Sequence, residues 1–310
     1  MNITIRQLEI FVAVVRAESY TRAAQKIHLT QPAVSMQVKQ LESQLEVVLF
    51  EQLGKKIYLT EAGSEVYHYA RTVINQLQEM RTVLEEIKGL RYGKLRISVA
   101  TTANYFAPTL LSTFYKRHPN VSVNLNVTNR QTLLQQLEEN EVDLVIMGKP
   151  PSTMELEAEA FMENPLVIIA PPEHPLASAQ EIKLSQLLSE IFLVREEGSG
   201  TRGAMERFFK THHCKITTGM EISSDEAIKQ SVKAGLGLGF LSYDAIQSEL
   251  DLQQLTVLNV EHLPIRRYWY LVHRKGKRLS RFALAFKEFM IAEAPQILGK
   301  ARIDGAVDIS

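Results

Sequence analysis

The chain has 310 residues, 45% hydrophobic and 23% charged, with a formal net charge of zero. These values describe a globular protein of two or three domains and exclude a disordered chain. Neutrality removes any argument for nucleic-acid binding from overall charge, so such binding must rest on local residues. The single cysteine, Cys214, excludes an internal disulfide and a multi-cysteine zinc site and suits a reducing compartment. Met1-Asn2-Ile3-Thr4 lacks the basic region and apolar run of a signal peptide. No stretch approaches the roughly 18 apolar residues of a membrane span. A cytoplasmic protein without a membrane partner is expected.

Residues 1–60 carry short helical patterns with abrupt breaks. Thr4 and Gln7 have capping-box spacing, and Leu8, Phe11, Val12 and Val15 follow at helical intervals. Ser19 or Thr21 can cap a second helix with Ala23, Ala24 and Ile27 on its apolar side. His28-Leu29 makes a turn, and Thr30 caps a third helix with Pro32 in its first turn. Val34, Val38, Leu41 and Leu45 form that helix's buried face, which leaves Gln31, Ser35, Met36 and Lys39 facing outward. Leu49 to Leu59, broken at Gly54, reads as a small hairpin.

Residues 61–90 read as one long helix capped by Thr60. Val66, Ala70, Val73, Leu77, Met80, Leu84 and Ile87 repeat at alternating spacings of four and three, the seam of a helix that pairs with another helix. The alternative is an amphipathic helix lying on its own domain. A linker is expected near Gly89 and Gly93.

From there strands alternate with helices, the grammar of a parallel-sheet α/β fold. Strands are expected at 95–100, 121–127, 142–147, 166–170, 191–194, 239–241 and 268–272. Helices are expected from Thr101 through Tyr115, over 128–139, and near 201–213, 225–235 and 279–293. Asn164-Pro165 and Leu263-Pro264 flank a central block, so the chain leaves one lobe (91–163 and 265–300), builds a second (164–264) and returns. Residues 301–310 read as a tail. Ligands of such two-lobed domains sit at the carboxyl ends of strands, near helix N-termini. Thr101, Thr102 and Asn104 qualify, as do Thr128 and its neighbours Asn129 and Arg130, and Gly148 with Lys149. So does the turn carrying Arg195, Ser199, Gly200, Thr201 and Arg202, whose amides, hydroxyls and guanidiniums suit an anion such as phosphate. Arg267, beside the second crossover, is a further candidate.

Other motifs carry less. Gly235-Leu236-Gly237-Leu238-Gly239 lies between a helix and a strand, the reverse of the dinucleotide-binding order, and reads as a helix stop. Gly198-Ser199-Gly200-Thr201 lacks the ending of a phosphate-hydrolysing loop. His212 and His213 point about 100° apart on a helix and make a poor metal pair. With no catalytic constellation assignable from spacing, a non-enzyme without metal or resident cofactor is expected.

The run from Ala23 to Ser35, Ala-Ala-Gln-Lys-Ile-His-Leu-Thr-Gln-Pro-Ala-Val-Ser, closely resembles the helix-turn-helix signature of LysR-type transcriptional regulators. Leu41-Glu42, Leu49-Phe50-Glu51 and Leu59-Thr60-Glu61-Ala62-Gly63 continue the pattern, and the α/β remainder is similar to the family's co-inducer domain. The chain departs from the pattern at Met36 and Gln52, where many relatives carry arginine. The resemblance implies an N-terminal winged helix-turn-helix, a dimerising linker helix and a two-lobed effector domain like that of periplasmic binding proteins. In the winged domain Thr30, Gln31, Pro32, Ser35, Met36 and Lys39 would face the major groove, with Arg22, Lys55 and Lys56 on phosphates. It also implies a dyad-symmetric promoter site, a homodimer or homotetramer, RNA polymerase as a partner and a small-molecule co-inducer. Within the family, 52–59 and 196–202 look most like regulators of RuBisCO and carbon-fixation operons, which points to a phosphorylated metabolite or a nicotinamide nucleotide. The rival reading is a solute-binding or enzymatic α/β domain carrying a helical oligomerisation module.

Overall fold

The N-terminal helices start where hydroxyl side chains can cap them. In the computed structural model, which describes residues 2–54, 56–87 and 93–300, α1 (Ile5–Ala17) opens on a complete capping box. The Thr4 hydroxyl accepts the Gln7 amide at 3.2 Å, and the Gln7 side chain accepts the Thr4 amide at 2.9 Å. Ser19 caps α2 (Tyr20–Lys26), and Thr30 caps α3 (Gln31–Leu45) with Pro32 in the first turn. Strands β1 (Phe50–Leu53) and β2 (Lys56–Leu59) pair antiparallel. The long α4 (Glu61–Ile87) then begins with the Thr60 hydroxyl accepting the Gly63 amide at 2.9 Å.

Two apolar clusters hold this unit. Val34 and Val38 meet Ile10, Val14, Ala23 and Ala24. Phe11, Leu41, Leu49 and Ala70 form the other, with the Phe11 ring edge-on to Phe50 at 5.3 Å and to Tyr67 at 6.4 Å. The first turns of α4 therefore lie on their own domain, as the alternative reading had it. Elsewhere along the seam the repeat changes character: Val73, Met80 and Leu84 are 43%, 51% and 46% exposed, an apolar stripe that joins none of the apolar clusters formed by the described residues. The side chain of Ile87 lies outside the described residues, as do Lys55, the linker at 88–92 and the tail 301–310.

The remaining elements form a second unit. In its first lobe β3 (Gly93–Ala100) passes through a 3-10 turn (Thr101–Tyr105) into α5 (Ala107–Arg117). Then come β4 (Val121–Thr128), α6 (Arg130–Glu138), β5 (Leu144–Met147) and β6 (Leu156–Glu163). The chain crosses to β7 (Leu166–Ala170), β8 (Ile191–Arg195), α7 (Gly200–Thr211), β9 (Thr217–Ile222), α8 (Asp225–Lys233), β10 (Leu238–Ser242), α9 (Gln247–Asp251) and β11 (Thr256–Val257). It returns as β12 (Tyr268–Arg274) and α10 (Arg281–Ile297). The sheets run β4-β3-β5-β12-β6 and β11-β7-β10-β8-β9. Both crossings pass through one short ladder, where Leu166 and Ile265 exchange amide hydrogen bonds of 3.0 Å and the Asn164 amide donates to the Arg267 carbonyl at 2.6 Å.

The structure corrects three expectations. Both sheets are mixed, because the strand that enters or leaves each lobe runs against the parallel core: β12 is antiparallel to β5 and β6, and β7 is antiparallel to β10. The helix expected from Thr101 is interrupted, since Pro108 has no N–H to return to position 104, and an α-helix starts only at Ala107. The strands β6, β9 and β11 were not expected. Gly237 explains the discounted glycine run: it turns at φ 151°, and a Cβ there would sit 2.5 Å from the Ile191 carbonyl oxygen.

Phe11 is fully buried where α1, β1 and α4 meet. Phe11→Ala is therefore expected to destabilise the N-terminal unit by about 3–5 kcal/mol, read as an earlier urea midpoint in its unfolding.

Candidate functional site

The outward face of α3 is polar and shallowly concave. Gln31, Pro32, Ser35, Met36, Lys39, Gln40 and Ser43 line one groove, while Val34, Val38 and Leu41 anchor the opposite face. Arg22 on α2 and Lys56 on β2 are exposed as well. Met36, 53% exposed, offers an unbranched apolar chain in place of a cation. Gln52, the other departure from the family pattern, braces the hairpin through a 3.0 Å hydrogen bond to the Gly54 carbonyl.

The second unit holds a cleft of about 710 Å³ between its lobes. The first lobe contributes the turns after β3, β4 and β5: Thr101 and Thr102, Asn129 to Gln131, and Gly148 to Pro150. The second contributes 197–203 with Glu206 and Arg207, and the returning segment adds 266–270. Ser199 caps α7, its hydroxyl accepting the Thr201 and Arg202 amides at 3.3 and 3.5 Å, so the helix N-terminus opens on the cavity. Gly198 makes the approach to that cap possible. Its φ is 82°, and a Cβ would lie 2.7 Å from the Gln131 side-chain oxygen.

Guanidinium groups dominate the cavity's electrostatics. Arg130 donates to the carbonyls of Gly148 (3.4 Å) and Lys149 (2.7 Å), and Arg267 donates to the Gly200 carbonyl at 3.0 Å. Arg207 is the third. Among the described residues none of the three forms a salt bridge to a carboxylate. Burial and then the neighbouring Arg130 and Arg207 pull the Arg267 pKa down to about 10. Burial and then Arg207 also lower that of Arg130. Glu206, at the rim, is held by Arg202 at 2.8 Å.

Of the residues expected from sequence, Thr101, Thr102, Gly148, Lys149, Ser199, Gly200, Thr201, Arg202 and Arg267 line this cavity. Three do not. Asn104 is exposed in the 3-10 turn, and Thr128 ends β4 with its side chain outside the lining. Arg195 is buried behind the wall, fully engaged: it pairs with Asp225, binds Glu196 through Nε at 2.8 Å and donates to the Thr101 hydroxyl at 3.1 Å. Arg202 lines the cavity, but Glu206 and Glu221 already hold its guanidinium. The cleft's cations without a carboxylate partner among the described residues are instead Arg130, expected beside Asn129 after β4, and Arg207, which the sequence did not single out, together with Arg267. Arg207 sits one helical turn after Gly203, and the missing side chain there lets its guanidinium approach.

Polar contacts also cross between the lobes. The Thr102 hydroxyl lies 3.0 Å from Asp225, and the ammonium of Lys229 sits 4.8 Å from the centre of the Tyr105 ring. Trp269, the sole tryptophan, lines the cavity and donates its indole N–H to Asp244 of the second lobe at 3.2 Å. Among the described residues no cluster of His, Cys, Asp and Glu could hold a metal ion, and no helix is long and apolar enough to cross a membrane.

Two family models match the chain: the bacterial regulatory helix-turn-helix protein, lysR family, over residues 5–64, and the LysR substrate binding domain over residues 88–295. A RuBisCO operon transcriptional regulator of Allochromatium vinosum is 54% identical over 297 residues, covering 96% of this chain and 98% of that one. The regulatory domain of CcmR from Synechocystis, solved in complex with 2-phosphoglycolate, is 39% identical with a TM-score of 0.63; the match covers 64% of this chain and 96% of that one. Full-length OxyR from Pseudomonas aeruginosa shares the fold along 99% of both chains, with a TM-score of 0.72 at 23% identity.

The two kinds of arginine pair separate in a stability test. Asp225→Ala takes one of two carboxylate partners from the buried Arg195 guanidinium, Glu196 remaining, and is expected to cost about 1.5–3 kcal/mol. Glu221→Ala removes an exposed partner of Arg202 and is expected to cost less than about 1 kcal/mol. Chemical denaturation of the two variants checks the order.

Proposed function

Because the chain belongs to the LysR family of bacterial transcriptional regulators, whose helix-turn-helix binds DNA, we propose that it controls carbon-fixation (RuBisCO) genes in response to a phosphorylated metabolite bound between its lobes. As a member of that family it is a regulator and not an enzyme. The observation that carries the effector reading is the convergence of Arg130, Arg207 and Arg267 on one cleft without a carboxylate to neutralise them. Like charges held this way are relieved by a multiply charged anion, and the N-terminus of α7 adds amide donors on the same side. The named roles of the curated relatives support the gene class, and the phosphate compound held by the CcmR domain supports the effector class.

On the DNA side, Gln31, Ser35 and Lys39 reach base edges from α3, Thr30 and Pro32 set the helix entry, and Arg22 and Lys56 contact flanking phosphates. Met36 contributes an apolar contact, such as one to a thymine methyl group. The exposed Val73, Met80 and Leu84 of α4 pair with the same stripe of a second copy, placing two recognition helices on a dyad-symmetric site about 34 Å apart. The family resemblance extends this dimer to a tetramer and adds RNA polymerase as the partner of the activating form. Bound effector favours one closure of the lobes, and only a difference in its affinity for the two closures moves the equilibrium.

A footprint over the gene's own upstream DNA and a neighbouring RuBisCO operon tests this, with and without 2-phosphoglycolate and related phosphate esters. The expected result is a protected dyad whose extent changes with a phosphate ester. Protection indifferent to every ester removes the effector reading, and no protection removes the gene assignment. Arg267→Met is expected to weaken ester binding by roughly tenfold or more, as for loss of a charged hydrogen bond, with the ester-free footprint retained. Gln31→Ala is expected to weaken specific DNA binding by about 1–3 kcal/mol, measured as the ratio of operator to random-sequence affinity.

A further inference from the structure

The two threonines that line the cleft side by side have opposite hydrogen-bonding polarity, imposed from behind the wall. Asp225 is 4% exposed, with one carboxylate oxygen paired to the Arg195 guanidinium and the other 3.0 Å from the Thr102 hydroxyl. A carboxylate held by a guanidinium is ionised and can only accept. The single proton of the Thr102 hydroxyl is therefore committed to Asp225, and toward the cavity Thr102 can only accept. Thr101 is the reverse. Its hydroxyl oxygen receives an N–H of Arg195 at 3.1 Å, and a guanidinium can only donate, so the Thr101 proton remains to be given elsewhere.

A phosphate dianion offers acceptors alone. Thr101 and the three arginines suit it, and Thr102 does not. Facing only phosphate or carboxylate oxygens, the Thr102 oxygen would be left desolvated without a donor. It calls for a ligand donor, and an ammonium is disfavoured beside Arg130, Arg207 and Arg267. A hydroxyl group meets both conditions. We propose that the effector is a hydroxylated phosphate ester. Thr101 donates to its anionic part, Thr102 accepts from its hydroxyl, and Asp225 with Arg195 are positioning residues that fix the two polarities. This rests on the anion-binding reading of the cleft and narrows it.

The test compares two probes that differ in one hydroxyl, 3-phosphoglycerate and the same molecule with hydrogen in place of that hydroxyl, titrated calorimetrically into the full-length protein. The expected result is tighter binding of the hydroxylated probe by about tenfold, the scale of one neutral hydrogen bond. Thr102→Val brings the ratio to about one, and Thr102→Ser retains it. Asp225→Asn, whose amide can donate to Thr102, lowers the ratio, an effect that lost stability alone would not produce. Thr101→Val weakens both probes alike. A wild-type ratio near one, or a preference that survives Thr102→Val, overturns the proposal while leaving the anion site in place. Failure of both probes and of 2-phosphoglycolate to bind removes the anion site and this proposal together.

Discussion

The two lobes of the effector unit are joined covalently through two extended segments that hydrogen-bond to each other at Leu166 and Ile265. This double crossing is the constraint from which the rest of the unit follows. It forces one antiparallel strand into each otherwise parallel sheet, and it points the ends of β3, β5 and β8 at a shared cleft. It also delivers Arg267 to that cleft on the returning segment, where neither lobe alone would place it. A loop-built site would have to order these groups separately; here the sheets hold them before any ligand arrives.

The cleft's chemistry is divided between groups that are satisfied and groups that are not. Arg195 and Asp225 neutralise each other in a buried pair, with Thr101 and Glu196 completing the guanidinium's bonds. Among the described residues Arg130 and Arg267 donate to carbonyl oxygens and pair with no carboxylate, and Arg207 adds a third positive charge nearby. The same residue type thus serves as scaffold in one place and as an unfilled demand for negative charge in another. Burial alone does not separate the two roles; the presence or absence of a carboxylate partner does.

Much of this was legible in the sequence where local chemistry decides. Thr4, Thr30 and Ser199 cap helices because a hydroxyl beside free amides is a short-range matter, and the apolar runs at β7, β8, β10 and β12 are buried on both sides. Leu156-Glu157-Ala158-Glu159-Ala160 gave no strand signal. Its alanines and glutamates favour a helix, and only pairing with β12 at the sheet edge makes it β6. β9, with Gly219 at its centre and almost no buried side chain, was equally silent. In the site, the glycine-containing turn and Arg267 were identifiable from their places beside strand ends and crossovers. Arg195 looked equally available, because nothing in its neighbourhood announces that Asp225, thirty residues on, will occupy it. Arg207 was invisible for the converse reason: it sits mid-helix, and its approach depends on the absent side chain of Gly203.

Trp269 has a consequence of its own. Its indole is packed in the first lobe's core, its N–H is bonded to Asp244 of the second, and the residue lies along the cleft. With no other tryptophan in the chain, all indole emission comes from one group whose hydrogen bond spans the gap between the lobes. A change in lobe angle alters that bond and the polarity around the ring together. The protein thus carries an optical reporter of this contact between its lobes, readable without any label.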